Sequence, residues 1–410
     1  MSIKHLYEDE RPTLLLDFAN SKTLDPRITF ERQSAGTYVD EQGVIKTAAD
    51  NEARFDHDPA TGECLGLLIE EERTNLIKLS EPDTRSSHAI VSEWTFNDLD
   101  KNTEITKVTG PDAVSNSASE MQLASGTAWD AYVYQLPVTA GQTYSVSGWV
   151  KLGTATNFAL HVNNTLAWDS IPDGFKTFDA SDGLNTSSFT KVSHSFTAPT
   201  SGNINIHIGR HASSLHAQQT SGTVIGWGFQ CELGAFSTST ILTNGSTVQR
   251  KADEASITGT NFSSWYNSSG GTICTSFYPY NEGKAYVLHN GSSQQRIILD
   301  TTDAGTGFGI TGVANYATVH MVGTGGSIGT VDPNINRTIK NAFRVEANNY
   351  KAANNGSLTT GLVTGPPAPS VTTLQFFTGF AGSELMSGYL HNFSYYPTYL
   401  SDTTLQALTT

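Results

Sequence analysis

Cysteine, charge and long apolar runs are all scarce in this sequence. The three cysteines in 410 residues, Cys64, Cys231 and Cys274, are odd in number and far apart. That excludes a disulfide framework and a metal knuckle, and leaves reduced thiols, mostly buried. Charged residues are only 15% of the chain, against roughly 25% in ordinary globular domains. Apolar residues, at 37%, are too plentiful for a disordered chain, so this one folds. Lys and Arg number 24 against 39 Asp and Glu, a net charge of −15. With no basic cluster, the cationic footprint that phosphate backbones require is missing, and nucleic acid is not an expected partner. No stretch approaches the ~20 apolar residues that cross a bilayer, so no membrane insertion is expected. Glu8, Asp9 and Glu10 fall where a signal peptide would be apolar, and the expectation is synthesis in the cytoplasm without a secretory signal.

What is present divides by charge. Residues 1–80 carry charge at 25 of 80 positions, residues 81–410 at only 38 of 330. The remainder is rich in Ser, Thr, Gly and Asn and carries period-two runs, the mark of strands whose side chains alternate between faces. In Asn203, Ile204, Asn205, Ile206, His207 and Ile208 the isoleucines share one face and the polar groups the other. Tyr144, Val146, Gly148 and Val150 alternate in the same way with Ser145, Ser147, Trp149 and Lys151. Ile225, Trp227 and Phe229 read as one apolar face, which assigns Trp227 to the core. Short strands with Gly/Asn/Ser/Pro turns and no long helical period argue for antiparallel sandwiches. Asn290-Gly291 and Asn355-Gly356 read as type I′ hairpin turns. Ser401 to Leu408 is the one helix expected near the end, with Ser401 as N-cap. The fold class is therefore all-β: a small β domain over 1–80, a β-sandwich over 81–252 and a second over 253–410.

Several motifs then place the chain. Leu14-Leu15-Leu16-Asp17-Phe18-Ala19, Leu24 to Phe30, Ala35-Gly36-Thr37-Tyr38, Glu52 to Pro59, Gly66 to Glu70 and Arg73-Thr74-Asn75-Leu76 together resemble the entry domain of tailed-bacteriophage head-spike and tail-fibre proteins. The resemblance continues through Thr247 to Asp253 and Ser256 to Asn267. At Gly388-Tyr389-Leu390 and Tyr395 to Ser401 it is similar to the closing strand and helix of a laminin-G or concanavalin-like sandwich. The middle region resembles a carbohydrate-binding-module-like jelly roll in pattern. The resemblance implies a virion surface protein whose first segment attaches to other virion proteins of the capsid or tail. It further implies sandwiches that engage host cell-surface polysaccharide, and a homotrimer. A purely structural decoration protein is the alternative, and a glycan depolymerase a weaker one.

No motif supports catalysis, and the chain is expected not to be an enzyme. Gly325-Gly326-Ser327-Ile328-Gly329 fits the nucleophile-elbow pattern, but Thr330-Val331-Asp332-Pro333 cannot start the helix that must follow it. Gly307 to Gly312 matches a dinucleotide-binding pattern without its helix. Glu70-Glu71-Glu72 reads as a solvated acidic stretch or a contact between subunits. For glycan binding the useful residues are aromatics beside amides and carboxylates, because sugar C–H faces pack on rings while polar groups meet the hydroxyls. Trp129, Tyr132, Tyr134, Trp149 and Trp168 are the candidates, Trp149 because it lies opposite the apolar face of its strand. Asp56, Asp58 and Glu63 offer hard oxygen ligands close together and are candidates for Ca²⁺, the one cofactor suggested. The competing reading of Asp58-Pro59-Ala60-Thr61-Gly62 is a type I turn.

Overall fold

The computed structural model describes residues 11–82, 94–96, 105–123, 131–164, 171–209, 222–291, 296–301, 316–322, 326–331, 337–347, 349–358, 370–378 and 385–410. The chain is all-β and its strand pairings are antiparallel. The jelly roll is built from two five-stranded sheets. One runs Thr190–Thr197, Thr143–Leu152, Gly222–Leu233, Ala118–Leu123, Ile105–Val108; the other runs Phe175–Phe178, Phe158–Asn164, Gly202–Gly209, Ala131–Val138, Trp94–Phe96. The period-two pattern decides which side chains enter the space between them. Ile204, Ile206 and Ile208 do, packing with Val146, Val150, Phe229 and Cys231 of the facing sheet.

The second sandwich pairs an eight-stranded with a seven-stranded sheet, and one apolar core that includes Leu67, Ile273, Tyr286, Phe343, Phe376 and Phe393 joins them. The sequence suggested three consecutive units, but the hydrogen bonding does not stop at residue 80. Leu14–Asp17 and Cys64–Ile69 both pair with Gly388–Tyr396, and Arg54–His57 forms the sheet edge beyond Cys64–Ile69. Thr29–Glu31 pairs with Glu254–Thr258 in the other sheet. Most strands of the first segment thus lie in the sheets of the last, because Leu14, Leu16, Phe30, Leu67 and Ile69 have their apolar partners there.

Two elements remain between the sandwiches. The hairpin of Gly36–Val39 and Ile45–Ala48 packs its Val39 and Ile45 on Trp149 and Trp227, on the outer face of the first jelly-roll sheet. Arg73–Asn75 pairs with Val248–Arg250, the chain's entry to and exit from the jelly roll. Asn75, wholly buried, fastens that neck. Its amide donates to Ile241 O at 2.8 Å and Phe229 O at 3.3 Å, and its Oδ1 accepts from the N–H of Ile77 and of Cys231.

The closing helix spans Asp402–Thr409, with Ser401 Oγ accepting from Thr404 N as N-cap. Asn355 and Gly356 both take positive φ, 45° and 80°, as a type I′ turn requires, and join Lys351–Asn354 to Ser357–Leu358. Asn290-Gly291 is a different case. The strands Lys284–His289 and Arg296–Asp300 pair as expected, but residues 290–295 separate them, so the link is longer than a two-residue turn. The three cysteines are free, Cys231 and Cys274 buried and Cys64 half-buried.

Candidate functional site

The outer faces of the two jelly-roll sheets differ in chemistry. The first is covered by the hairpin of Gly36–Val39 and Ile45–Ala48, and this overturns the reading of Trp149 as an exposed platform. Trp149 does lie opposite the core face of its strand, as the alternation requires. Its ring is nonetheless 7% exposed, packed with Val39, Ile45 and Trp227, and its Nε1 donates to Thr240 Oγ1 at 2.9 Å. Trp227 is buried on that same outer side, apart from Phe229. Gly228, at φ 63°, forms a bulge opposite Gly148 that turns the strand's register by one residue between them.

Tyr132 and Tyr134 are also displaced from the expected role. Both are 1% exposed and point between the sheets, with Leu136 and Val138 on the same side of Ala131–Val138. Tyr134 packs edge-on to Trp94 with centroids 5.2 Å apart, and its hydroxyl accepts from Lys78 N at 2.7 Å. Trp129 and Trp168 lie outside the described residues.

The outer face of the second sheet carries the opposite alternation. From Ala131–Val138 it presents Gln135, from Gly202–Gly209 Asn203, Asn205 and His207, and from Phe158–Asn164 His161 and Asn163. These side chains bond to one another across three adjacent strands. Gln135 Nε2 donates to Asn205 Oδ1 at 3.1 Å, Asn205 Nδ2 to Asn163 Oδ1 at 3.2 Å, and His207 Nε2 lies 3.4 Å from the same oxygen. The His161 ring stacks on His207 with centroids 5.3 Å apart, and Phe175 packs against it at 5.8 Å. The row grades from buried at His161, Asn163 and His207 to half-buried at Gln135 and Asn205 and exposed at Asn203. Amides and imidazoles both donate and accept, so such a row can exchange its internal bonds for those of a hydroxyl-rich ligand. The polar half of Asn203 to Ile208 was visible in the sequence. The aromatics of Ala131–Val138, by contrast, lie on the side of that strand that faces the core.

Asp56, Asp58 and Glu63 do not converge. Asp56 is buried, its Oδ1 accepting from Val39 N at 2.5 Å and its Oδ2 from the Tyr389 hydroxyl at 2.7 Å. Burial pushes its carboxyl above the ordinary range, against the pull of those bonds and of Arg54. Asp58 Oδ1 takes the N–H groups of Ala60 and Thr61, both at 2.8 Å, which closes the turn into Cys64–Ile69. Glu63 is exposed. Among the described residues no three His, Cys, Asp or Glu side chains are placed to hold a metal ion. Ser327 lies inside the strand Gly326–Val331 and not on an elbow, and the residues from 307 to 312 lie outside the described ones.

The acidic run at 70–72 is not uniformly solvated. Glu72 is exposed and pairs with Lys251 at 2.9 Å, and Glu71 pairs with Arg73. Glu70 is buried in a cluster of five charges, each 0–1% exposed. Arg54 bridges Glu70 at 2.8 Å and Asp253 at 2.5 Å, Arg32 reaches Asp253 at 3.0 Å, and Arg250 lies 3.5 Å from Glu70. Burial would raise the Glu70 carboxyl. Arg250, Arg54 and the bonds from Ser239 N and Oγ, both 2.6 Å, outweigh it and hold the group at about 2.

No protein family's profile matches the chain, and no curated protein matches it. Among solved structures it is similar to the CBM40 module of the Ruminococcus gnavus IT-sialidase, at 16% identity over 35% of this chain and 83% of that one, with a TM-score of 0.26. It is similar to domain 4 of AbnA, an extracellular GH43 arabinanase from Geobacillus stearothermophilus, in complex with arabinotriose: 10% identity, 39% and 73% coverage, TM-score 0.29. A CBM4 structure is similar at 13% identity, 39% and 99% coverage, TM-score 0.29. Likeness this slight carries no functional argument, and the side chains must supply it.

Proposed function

We propose that the chain is a non-catalytic glycan-binding protein that works through the outer face of the second jelly-roll sheet. The observation that carries this is the hydrogen-bonded row Gln135, Asn205, Asn163 and His207, with Phe175 against His161 at its end. The other outer face is covered by Val39 and Ile45, whereas this one holds side chains that both donate and accept beside an aromatic ring, with Gln135 and Asn205 half-buried and Asn203 exposed at its accessible end. A glycan array with the intact chain tests the reading, followed by titration of a hit against Asn205→Ala. The variant should weaken binding about tenfold or more, the loss of a polar partner at roughly 1.4 kcal/mol or above, while its melting temperature stays within a few degrees. An array without hits would refute it.

The setting proposed for this binding is the surface of a tailed-bacteriophage particle, as head spike or fibre, or tail fibre. What supports it is the resemblance of Leu14 to Leu76 to that family. In that setting the chain attaches to capsid or tail proteins, forms a homotrimer and aids adsorption to host polysaccharide. Light scattering of the purified chain returning a mass near 44.0 kDa would remove the trimer. Immunogold labelling of particles would decide between head and tail.

A further inference from the structure

A cleft of about 360 Å³ opens between the first segment and both sandwiches, within the size range of small-ligand sites. Each part of the chain supplies a wall: His57 and Asp56 from the strand Arg54–His57, Trp149 and Lys191 from the jelly roll, Tyr389 from the last sandwich. Its charges are nearly all engaged elsewhere. Glu70 belongs to Arg54, and Asp58 to its own turn. What faces the space is one carboxyl, Asp56, and one ammonium, Lys191, of opposite sign, so the cleft favours no net charge in a ligand.

The polar groups are left with hydrogen-bonding capacity. His57 is 6% exposed, and its Nδ1 lies 3.0 Å from Val39 O, which can only accept, so Nδ1 carries the proton. Nε2 is then an acceptor, and it has no partner. Asp56 uses one bond on each oxygen and each can accept another. Lys191 donates one of its three protons to Thr238 O at 2.5 Å and has two more to give. The remaining wall includes ring surface from Trp149 and the half-buried Phe189, beside aliphatic Val39, Ile45 and Leu68.

A ligand that fits must be neutral, must donate to His57 and Asp56 while accepting from Lys191, and must offer a C–H face to the rings. Vicinal hydroxyls on a saturated ring meet all three demands. We propose that this cleft is a second ligand site, for one neutral pyranose residue, free or terminal on a glycan. The assignment rests on the cleft's own residues and is independent of the sheet face.

The test is saturation-transfer NMR on the full chain with the methyl glycosides of glucose, galactose and mannose. The variants are His57→Phe, Ala60→Trp and Asn205→Ala. Ala60 is exposed at the lip of the cleft, so its enlargement blocks the mouth without touching buried groups and keeps the test valid should His57→Phe misfold. The expected result is a saturable signal from at least one glycoside, retained in Asn205→Ala and weakened about tenfold or more in Ala60→Trp. Absence of a signal from all three, equal binding by Ala60→Trp and the wild type, or loss in Asn205→Ala alone would each overturn the proposal.

Discussion

Arg54 and Asp253 show most directly what holds the first segment to the rest. Five charges removed from water would be destabilising singly, but here each has a charged partner and a further hydrogen bond, with Arg54 Nε and Arg250 Nε left buried and unbonded: Arg32 also donates to Ser34 O and Ala49 O, Arg54 to Thr37 O, Arg250 to Glu71 O. Asp253→Asn keeps the shape, strips Arg32 of its carboxylate and leaves Arg54 with Glu70 alone. The expected loss is about 3–5 kcal/mol, the usual penalty for orphaning a buried charge, read from the urea midpoint of unfolding. A loss near zero would mean that the cluster is solvated. The pH dependence of stability has two limbs. Glu70, held at about 2, contributes stability that is present above the ordinary carboxylate range near 4.3 and is lost as pH falls towards 2. Glu81 works in the opposite sense. Burial drives its carboxyl up to about 8, against the bond from Gly228 N at 2.6 Å, and its Oε2 has no partner. Its contribution is complete below about 4.3 and is lost as pH rises through 8. Glu81→Gln should flatten the alkaline limb of a melting-temperature profile taken from pH 5 to 9 and leave the acid limb unchanged.

Among the elements, the strand Gly222–Leu233 carries the clearest conflict between sequence pattern and structure. Its alternation reads as one apolar face from Ile225 to Phe229, yet Gly228 inserts a bulge that sends Trp227 outward and Phe229 inward. There the Phe229 ring lies against Gly148 and Gly226, where a Cβ would approach it to 2.5 and 2.6 Å. Gly228→Ala should therefore destabilise the protein by roughly 1–3 kcal/mol, the strain of left-handed backbone in a residue with a Cβ. A melt indistinguishable from wild type would show that the bulge relaxes. The legibility of the fold follows the same line. Period-two runs such as Asn203 to Ile208, the caps and the Asn355-Gly356 turn act within a few residues, and the sequence displays them. What covers a face does not act locally. Trp149 looked outward because nothing near it in sequence shows that Val39 and Ile45, more than a hundred residues earlier, close over it. The amide row was legible on Gly202–Gly209, but its completion by Gln135 and Asn163 is a matter of strand order.

At the scale of the whole molecule, the sharp fall in charge after residue 80 marks a change of composition and not the edge of a folding unit. The strands Leu14–Asp17 and Cys64–Ile69 pair end to end along one edge of Gly388–Tyr396, opposite Gly271–Pro279, and their Leu14, Leu16, Leu67 and Ile69 complete the core that Phe277, Leu390 and Phe393 begin. A fragment of residues 253–410 lacks those side chains, leaves that strand with an open edge, and separates Asp253 from Arg32 and Arg54. It should be insoluble or show no cooperative thermal transition. A fragment of residues 11–80 supplied in trans should restore one. Deletion of residues 1–80 would for the same reason damage the sandwich as well as any attachment to a particle, so loss of incorporation in that deletion would not isolate an anchoring role. Substitutions at the exposed Leu15 would, since its side chain is 57% open to solvent on a strand whose pairing is through the backbone. The decisive measurement is calorimetry of the full chain and of 253–410. A full chain in which Asp253→Asn lowers the melting of the sandwich, beside a fragment that does not melt cooperatively, is the outcome that the shared sheet requires. A fragment that melts as sharply as the whole would make the first segment a passenger.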